Sequence, residues 1–320
     1  MPPPPPMTVD EVKRHPEFPH VFWNLPPREK GKLAVGQGRG GPFHIAYEVH
    51  GQGPRKMIWI MGMGSLKSQW QRQTKDFSHS QADRYTCLVL DNRGIGESDK
   101  PLLRYSTSEM ARDVLEVVDH VGWASKRELN VVGISLGGMI GQELPFIENL
   151  RNRINLFIPR SLDVQVANVK RWMYTDKWIS APDDAEPVVE PFPTNGDRFT
   201  AMEVQKRSDP NSLTRVGFVA QAIAAGWHHK SEAQIKQLGD RVGRERIMVA
   251  HGTLDRMITV PHAHKMVEAL KGEGEGYGEL TVKIVEGMAH VMPVEIRKEF
   301  NGWVEEMVGK GEAANTREGV

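Results

Sequence analysis

One short run, Asn130-Val131-Val132-Gly133-Ile134-Ser135-Leu136-Gly137-Gly138, constrains this chain more than any other. Val131 and Val132 close a short buried-strand pattern. Met139, Ile140, Leu144 and Ile147 then recur at helical spacing. Ser135 therefore stands where a strand breaks sharply into a helix, the G-x-S-x-G arrangement that exposes a nucleophile. At such a turn the serine backbone is strained, and a side chain two residues to either side collides with strand or helix. Gly133 and Gly137 remove those side chains. The hydroxyl then sits at the start of a helix, whose dipole favours negative charge. The plainer alternative is a glycine-rich loop. The strand before the turn and the helix after it favour the first reading.

The surrounding pattern predicts the scaffold. Phe43 to Val49 alternates and closes on His50-Gly51, a half-buried strand with a turn. Lys56 to Met61 and Thr86 to Leu90 are continuous apolar runs, as expected of interior strands. Ser106 or Thr107 can cap a helix whose apolar face is Met110, Val114, Val117, Val118 and Val121. Arg246 to His251 and Leu280 to Val285 read as later strands, followed by helices over about 261–271 and 293–309. Strands alternating with helices predict an α/β fold with a mostly parallel, doubly wound sheet. Ligands in such sheets bind beyond the carboxyl ends of the strands.

The expected organisation has five parts. Residues 1–30 are Pro-rich and expected to form a flexible arm, and 31–149 the first part of the core. Residues 150–240 lose the strand signal and are expected to form an inserted helical cap. The core resumes over 241–310, and 311–320 is a frayed tail. Trp172, Trp178, Met202, Trp227 and His228 are candidates to line a pocket under the cap; the alternative is that the apolar ones are the cap's own core.

Charge and composition exclude other classes. Lys plus Arg equals Asp plus Glu at 41 each. That balance argues against nucleic-acid or membrane-surface binding through basic charge. The single cysteine, Cys87, lies in a strand pattern and reads as a buried core thiol. A reducing, cytoplasmic setting is the expectation. No apolar run reaches the ~18 residues of a membrane span. Oligomeric state is not readable.

A serine hydroxyl needs a base of pKa near 7, and that base needs an acid to fix its tautomer. The chain supplies one candidate of each after a strand: Ser135, Asp255 in Gly252-Thr253-Leu254-Asp255, and His290 in Gly287-Met288-Ala289-His290. His251 is the nearest rival histidine. An oxyanion also needs preorganised backbone donors. The amides of Leu136 and of Met63, in Gly62-Met63-Gly64, are the candidates. No metal or cofactor is called for.

These segments, with Asp91-Asn92-Arg93-Gly94-Ile95-Gly96-Glu97-Ser98, make the chain resemble the α/β-hydrolase-fold serine hydrolases of the capped esterase and lipase type. Its cap is similar in style to fungal members. The resemblance covers about 40–310. It implies a cofactor-free hydrolysis of a small ester, lactone or related acyl substrate. It also casts Asp91 and Arg93 as scaffold. An acyltransferase or perhydrolase would use the same residues, and a non-catalytic binder would keep only the pocket. Two departures stand out. Met61-Gly62 replaces the usual His-Gly of the oxyanion loop, so a side-chain hydrogen bond that organises the loop is lost. Over 148–159, a sheet strand is expected to be shortened or missing.

Overall fold

The computed structural model describes residues 5–123, 125, 127–144, 162–271 and 278–319. After a short helix α1 (Val9–Arg14) come strands β1 (Glu29–Val35), β2 (Phe43–Gly51) and β3 (Arg55–Ile60), helix α2 (Gln71–Ser78), strand β4 (Tyr85–Leu90) and helix α3 (Thr107–His120). Strand β5 (Leu129–Gly133) leads into α4 (Leu136–Glu143). Five helices then follow with no strand among the described residues: α5 (Leu162–Met173), α6 (Asp176–Ser180), α7 (Asn195–Ser208), α8 (Arg215–Trp227) and α9 (Glu232–Val242). The chain returns through β6 (Met248–Gly252), α10 (Val260–Leu270), β7 (Thr281–Val285), α11 (Met292–Glu295) and α12 (Arg297–Glu318).

The strands β1 to β5 form one sheet in the order β1-β2-β4-β3-β5, and β6 pairs with β7 separately. β1 and β2 run antiparallel to their neighbours, while β3 is parallel to β4 and β5. The apolar runs of β3 and β4 lie in the middle because both faces are covered. Ile58, Ile60, Leu88 and Leu90 face Met110, Val114 and Val117 of α3 and Ile140 of α4. Met57, Trp59, Cys87 and Val89 face Phe77 of α2 and Phe300, Val304 and Val308 of α12. Cys87 is fully buried there. It accepts the Trp59 Nε1–H at 3.3 Å, and burial pushes its thiol up to about 11. The stretch 148–159, where a strand was expected to be shortened or missing, lies outside the described residues.

Both chain ends depart from expectation. The segment after residue 6 is packed rather than loose. Thr8 caps α1, and Glu11 closes the capping box. Val12 and Val21 bury against Phe192 and Ala201. The Glu17 carboxylate accepts the amides of Val188 and Val189 and pairs with Arg198 at 3.3 Å. At the other end α12 runs on to Glu318, held by Arg55–Glu312 and Arg317–Glu245 pairs and a buried Ala314. β1 is a strand that the alternation did not announce, because its outer edge carries Lys30 and Lys32 among small residues. Among the described residues, no helix is long and apolar enough to cross a membrane.

Candidate active site

The turn at Ser135 has φ 55° and ψ −121°, one of two positive-φ non-glycine residues among those described. Sterics explain its neighbours. A Cβ on Gly133 would stand 2.3 Å from the Gly137 carbonyl oxygen, and one on Gly137 would stand 2.0 Å from that of Ile60. Strand, turn and helix thus approach each other through bare backbone. Gly141, further along α4, has only Val131 Cγ1 at 3.6 Å, an ordinary contact. Two alanine variants should therefore diverge. Gly137→Ala is expected to lose about 3 kcal/mol of stability through overpacking. Gly141→Ala should gain up to about 1 kcal/mol from helix propensity. Urea denaturation of both decides it; equal midpoints would count against the close approach.

Asp255 and His290 come from two loops that zip together at the ends of β6 and β7. Thr253 N–H donates to Val285 O at 3.1 Å, Leu254 N–H to Met288 O at 2.9 Å, and Gly287 N–H to Thr253 Oγ1 at 2.9 Å. Gly252 permits this, since a Cβ there would lie 2.2 Å from Met288 O. The result sets His290 Nδ1 2.7 Å from Asp255 Oδ2. The other oxygen, Oδ1, accepts the amides of Met257 and Ile258 at 2.7 and 2.9 Å. Burial pushes the Asp255 carboxyl up, but the His290 contact and these two amides outweigh it and hold the group below its ordinary value. His251 stands beside the same carboxylate, its Nε2 3.5 Å from Oδ2 and donating to Ile258 O at 2.8 Å. It braces the loop that carries the acid.

Ser135 and His290 line one cleft of about 950 Å³, open mouth included, together with Gly62 and Met63. Leu136 is fully buried as the first residue of α4. Its amide is among the first-turn donors that have no intrahelical acceptor. The far walls are Met173, Tyr174, Trp178, Phe199, Met202, Val291 and Val294. Tyr174 stacks on Trp178 at 4.4 Å between ring centroids and meets Phe199 edge-on. Arg72 and Arg198 reach the same cleft. Each is already matched: Arg72 by Asp184 at 2.5 Å, Arg198 by Asp183 at 2.7 Å and by Glu17.

Three of the pocket candidates, Trp172, Trp227 and His228, are not among the residues that line this cleft. Trp172 is 46% exposed and points to solvent, because α5 turns its Val166 and Met173 face inward. Trp227 packs under the Arg104 guanidinium, 4.6 Å from its ring centroid, away from the cleft. His228 anchors the end of α8 to the core, with Nδ1 3.0 Å from Thr107 Oγ1 and 3.5 Å from Glu143 Oε1. Glu143 also receives Lys230 at 2.7 Å. Burial raises its carboxyl, yet these donors bring it down to about 2. Trp178 and Met202 do line the cleft. Tyr174, Phe199, Arg72 and Arg198 were not singled out; nothing in a single sequence separates a helix face that meets a cleft from one that meets another helix. Asp91 and Arg93 serve as scaffold. Asp91 accepts the Lys67 and Glu97 amides, and Arg93 grips Asp113 through two hydrogen bonds of 2.5 and 2.6 Å.

The comparisons with known proteins agree with this architecture. A family model described as the alpha/beta hydrolase fold matches residues 60–146, from the Gly62-Met63-Gly64 loop through the serine turn and its helix. The chain has the α/β-hydrolase fold. Solved structures of this fold superpose over most of its length. An esterase from Exiguobacterium antarcticum aligns with a TM-score of 0.60 at 16% identity, covering 88% of this chain and 100% of its own. An enol-lactonase from Burkholderia xenovorans LB400 gives 0.59 at 17%, covering 87% and 100%. At these identities the likeness is one of fold. In sequence, a putative carbamate hydrolase of Azorhizobium caulinodans is 33% identical over 105 residues, which is 33% of this chain and 37% of that protein. The chain therefore spans well under half the length of that relative.

Proposed function

We propose that the chain is a serine hydrolase that cleaves a small, uncharged ester or lactone through an acyl-enzyme. One observation carries this reading: a strained serine turn and a histidine with a carboxylate on its Nδ1 open into the same cleft. With Nδ1–H donated to Asp255, Nε2 is the nitrogen left to serve as base. It takes the Ser135 proton as Oγ attacks the substrate carbonyl. The carbonyl oxygen becomes an oxyanion held by the Met63 and Leu136 amides. Collapse expels the alcohol oxygen, which leaves with the proton from His290. Water then attacks the acyl group by the same route, releasing the acid and restoring Ser135.

The lining argues for an uncharged substrate. Both arginines at the cleft are already paired with carboxylates, so neither offers an uncompensated charge to a substrate anion. The remaining walls are thioether, aromatic and branched aliphatic side chains, which suit an apolar acyl group. The esterase and lactonase of like fold act on neighbouring chemistry, in keeping with this class. A fluorophosphonate probe tests the reading on the full chain. It should add once, on the peptide that contains Ser135. A folded protein with no adduct would mean that the serine is not activated.

A further inference from the structure

Met61 has a thioether side chain and offers the Gly62-Met63-Gly64 loop no side-chain hydrogen-bond donor. The structure holds this loop from outside the core instead. Gln221, on α8, is fully buried. Its Oε1 accepts the Gly64 amide at 2.9 Å, and its Nε2 donates to Arg93 O at 2.9 Å. From α7, Lys206 Nζ donates to Gly64 O at 3.1 Å. Gly64 has φ 67°, and a Cβ there would lie 2.9 Å from the Phe218 ring, so α8 sits directly on the loop. On the other side Asn92 Nδ2 donates to Met61 O at 3.0 Å.

Peptide geometry gives these bonds a consequence. The planes 61–62, 63–64 and 64–65 are each tied by a side chain. The plane between them carries the Met63 amide. Its carbonyl, Gly62 O, faces the Ser65 amide at 3.4 Å across a tight turn. In a trans peptide the N–H points opposite to the C=O. The Met63 N–H is thereby aimed away from the turn, and Met63 lines the cleft that holds Ser135.

We propose that Gln221, seconded by Lys206, is the positioning residue for the oxyanion loop, so that the inserted helices complete the catalytic geometry as well as cover the cleft. This rests on the serine-hydrolase reading for its kinetic consequence, but not for its structural one. Gln221→Met keeps the volume and removes both bonds. Gln221→Glu keeps an acceptor for Gly64. Lys206→Met tests the second tie from a different helix, and serves if Gln221→Met does not fold.

Two readouts separate the claims. The first is hydrogen–deuterium exchange of the 62–65 peptide against the 133–137 peptide, which requires no turnover. Exchange at 62–65 should rise about tenfold in Gln221→Met, stay near wild type in Gln221→Glu, and leave 133–137 unchanged. The second is p-nitrophenyl ester kinetics beside affinity for a trifluoromethyl ketone. In Gln221→Met, kcat and ketone affinity should fall together by about 10- to 100-fold, with KM within twofold. Unchanged exchange at 62–65, or Met and Glu variants that lose kcat alike, would overturn the proposal. Raised loop exchange in a protein whose wild type turns over no ester would uphold the clamp and reject the hydrolase reading.

Discussion

Ser135→Ala is expected to cut ester turnover by about 10⁶-fold while leaving the folded protein intact. The substitution removes one heavy atom, Oγ, and keeps the Cβ, so it adds no new bulk beside Gly62, where an added Cβ would stand 3.2 Å from that of Ser135. The backbone at φ 55° is as costly for alanine as for serine, about 1–3 kcal/mol in either case. Thermal unfolding of wild type and variant should therefore coincide within a degree or two. Binding should survive as well. The cleft walls from Met173 to Val294 do not touch the missing atom's role, and calorimetry of the variant with an intact ester should give a measurable Kd. Ser135→Gly offers the complementary arm: equally inactive, but no less stable, since glycine adopts positive φ freely. Residual turnover in Ser135→Ala within a hundredfold of wild type would place the chemistry on another group.

The candidate residues were legible because local rules govern them. Gly133 and Gly137 are required by contacts within a few residues of Ser135. Asp255 and His290 follow strands β6 and β7 directly, so the parallel register of those strands carries both to one end of the sheet. The interior strands could be read for a similar reason: Met57 to Ile60 and Cys87 to Leu90 are covered on both faces and show it as unbroken apolar runs.

What was not legible depends on packing between distant segments. Trp172 and Trp178 differ little in composition or spacing, yet one faces solvent and the other stacks on Tyr174 above the cleft. Only the way α5 and α6 lie against α7 decides between them. The first residues misled through their prolines. The useful signal was Thr8 followed by Glu11, a capping box that announces α1, and Glu17, whose partners Val188, Val189 and Arg198 lie far along the chain. Gln221 is a similar case. A glutamine in a helix of alanines and valines reads as a solvent-facing residue until the loop it holds is in view.

Asp255→Asn is the second large effect, a fall in kcat of about 10⁴-fold with the fold retained. The asparagine carbonyl is expected to take the place of Oδ1, where the Met257 and Ile258 amides both require an acceptor. Its amide nitrogen then faces His290 Nδ1, where a carboxylate oxygen now stands at 2.7 Å. Two donors cannot share that bond, so the imidazole must place its proton on Nε2. An Nε2 that already carries a proton cannot take one from Ser135. The stability consequence has a defined sign. The Asp255 carboxyl is held below its ordinary value, so its contribution is complete above the unfolded value of 3.8 and is lost as pH falls through the lower folded value. The melting temperature of wild type should exceed that of Asp255→Asn at pH 7, and the gap should narrow below about pH 4. His251 gives the contrary outcome a meaning. It lies 3.5 Å from the same carboxylate. If Asp255→Asn kept turnover within tenfold of wild type, the carboxylate would be a brace for His251 and the Ile258 turn, and His290 would be working without an acid partner.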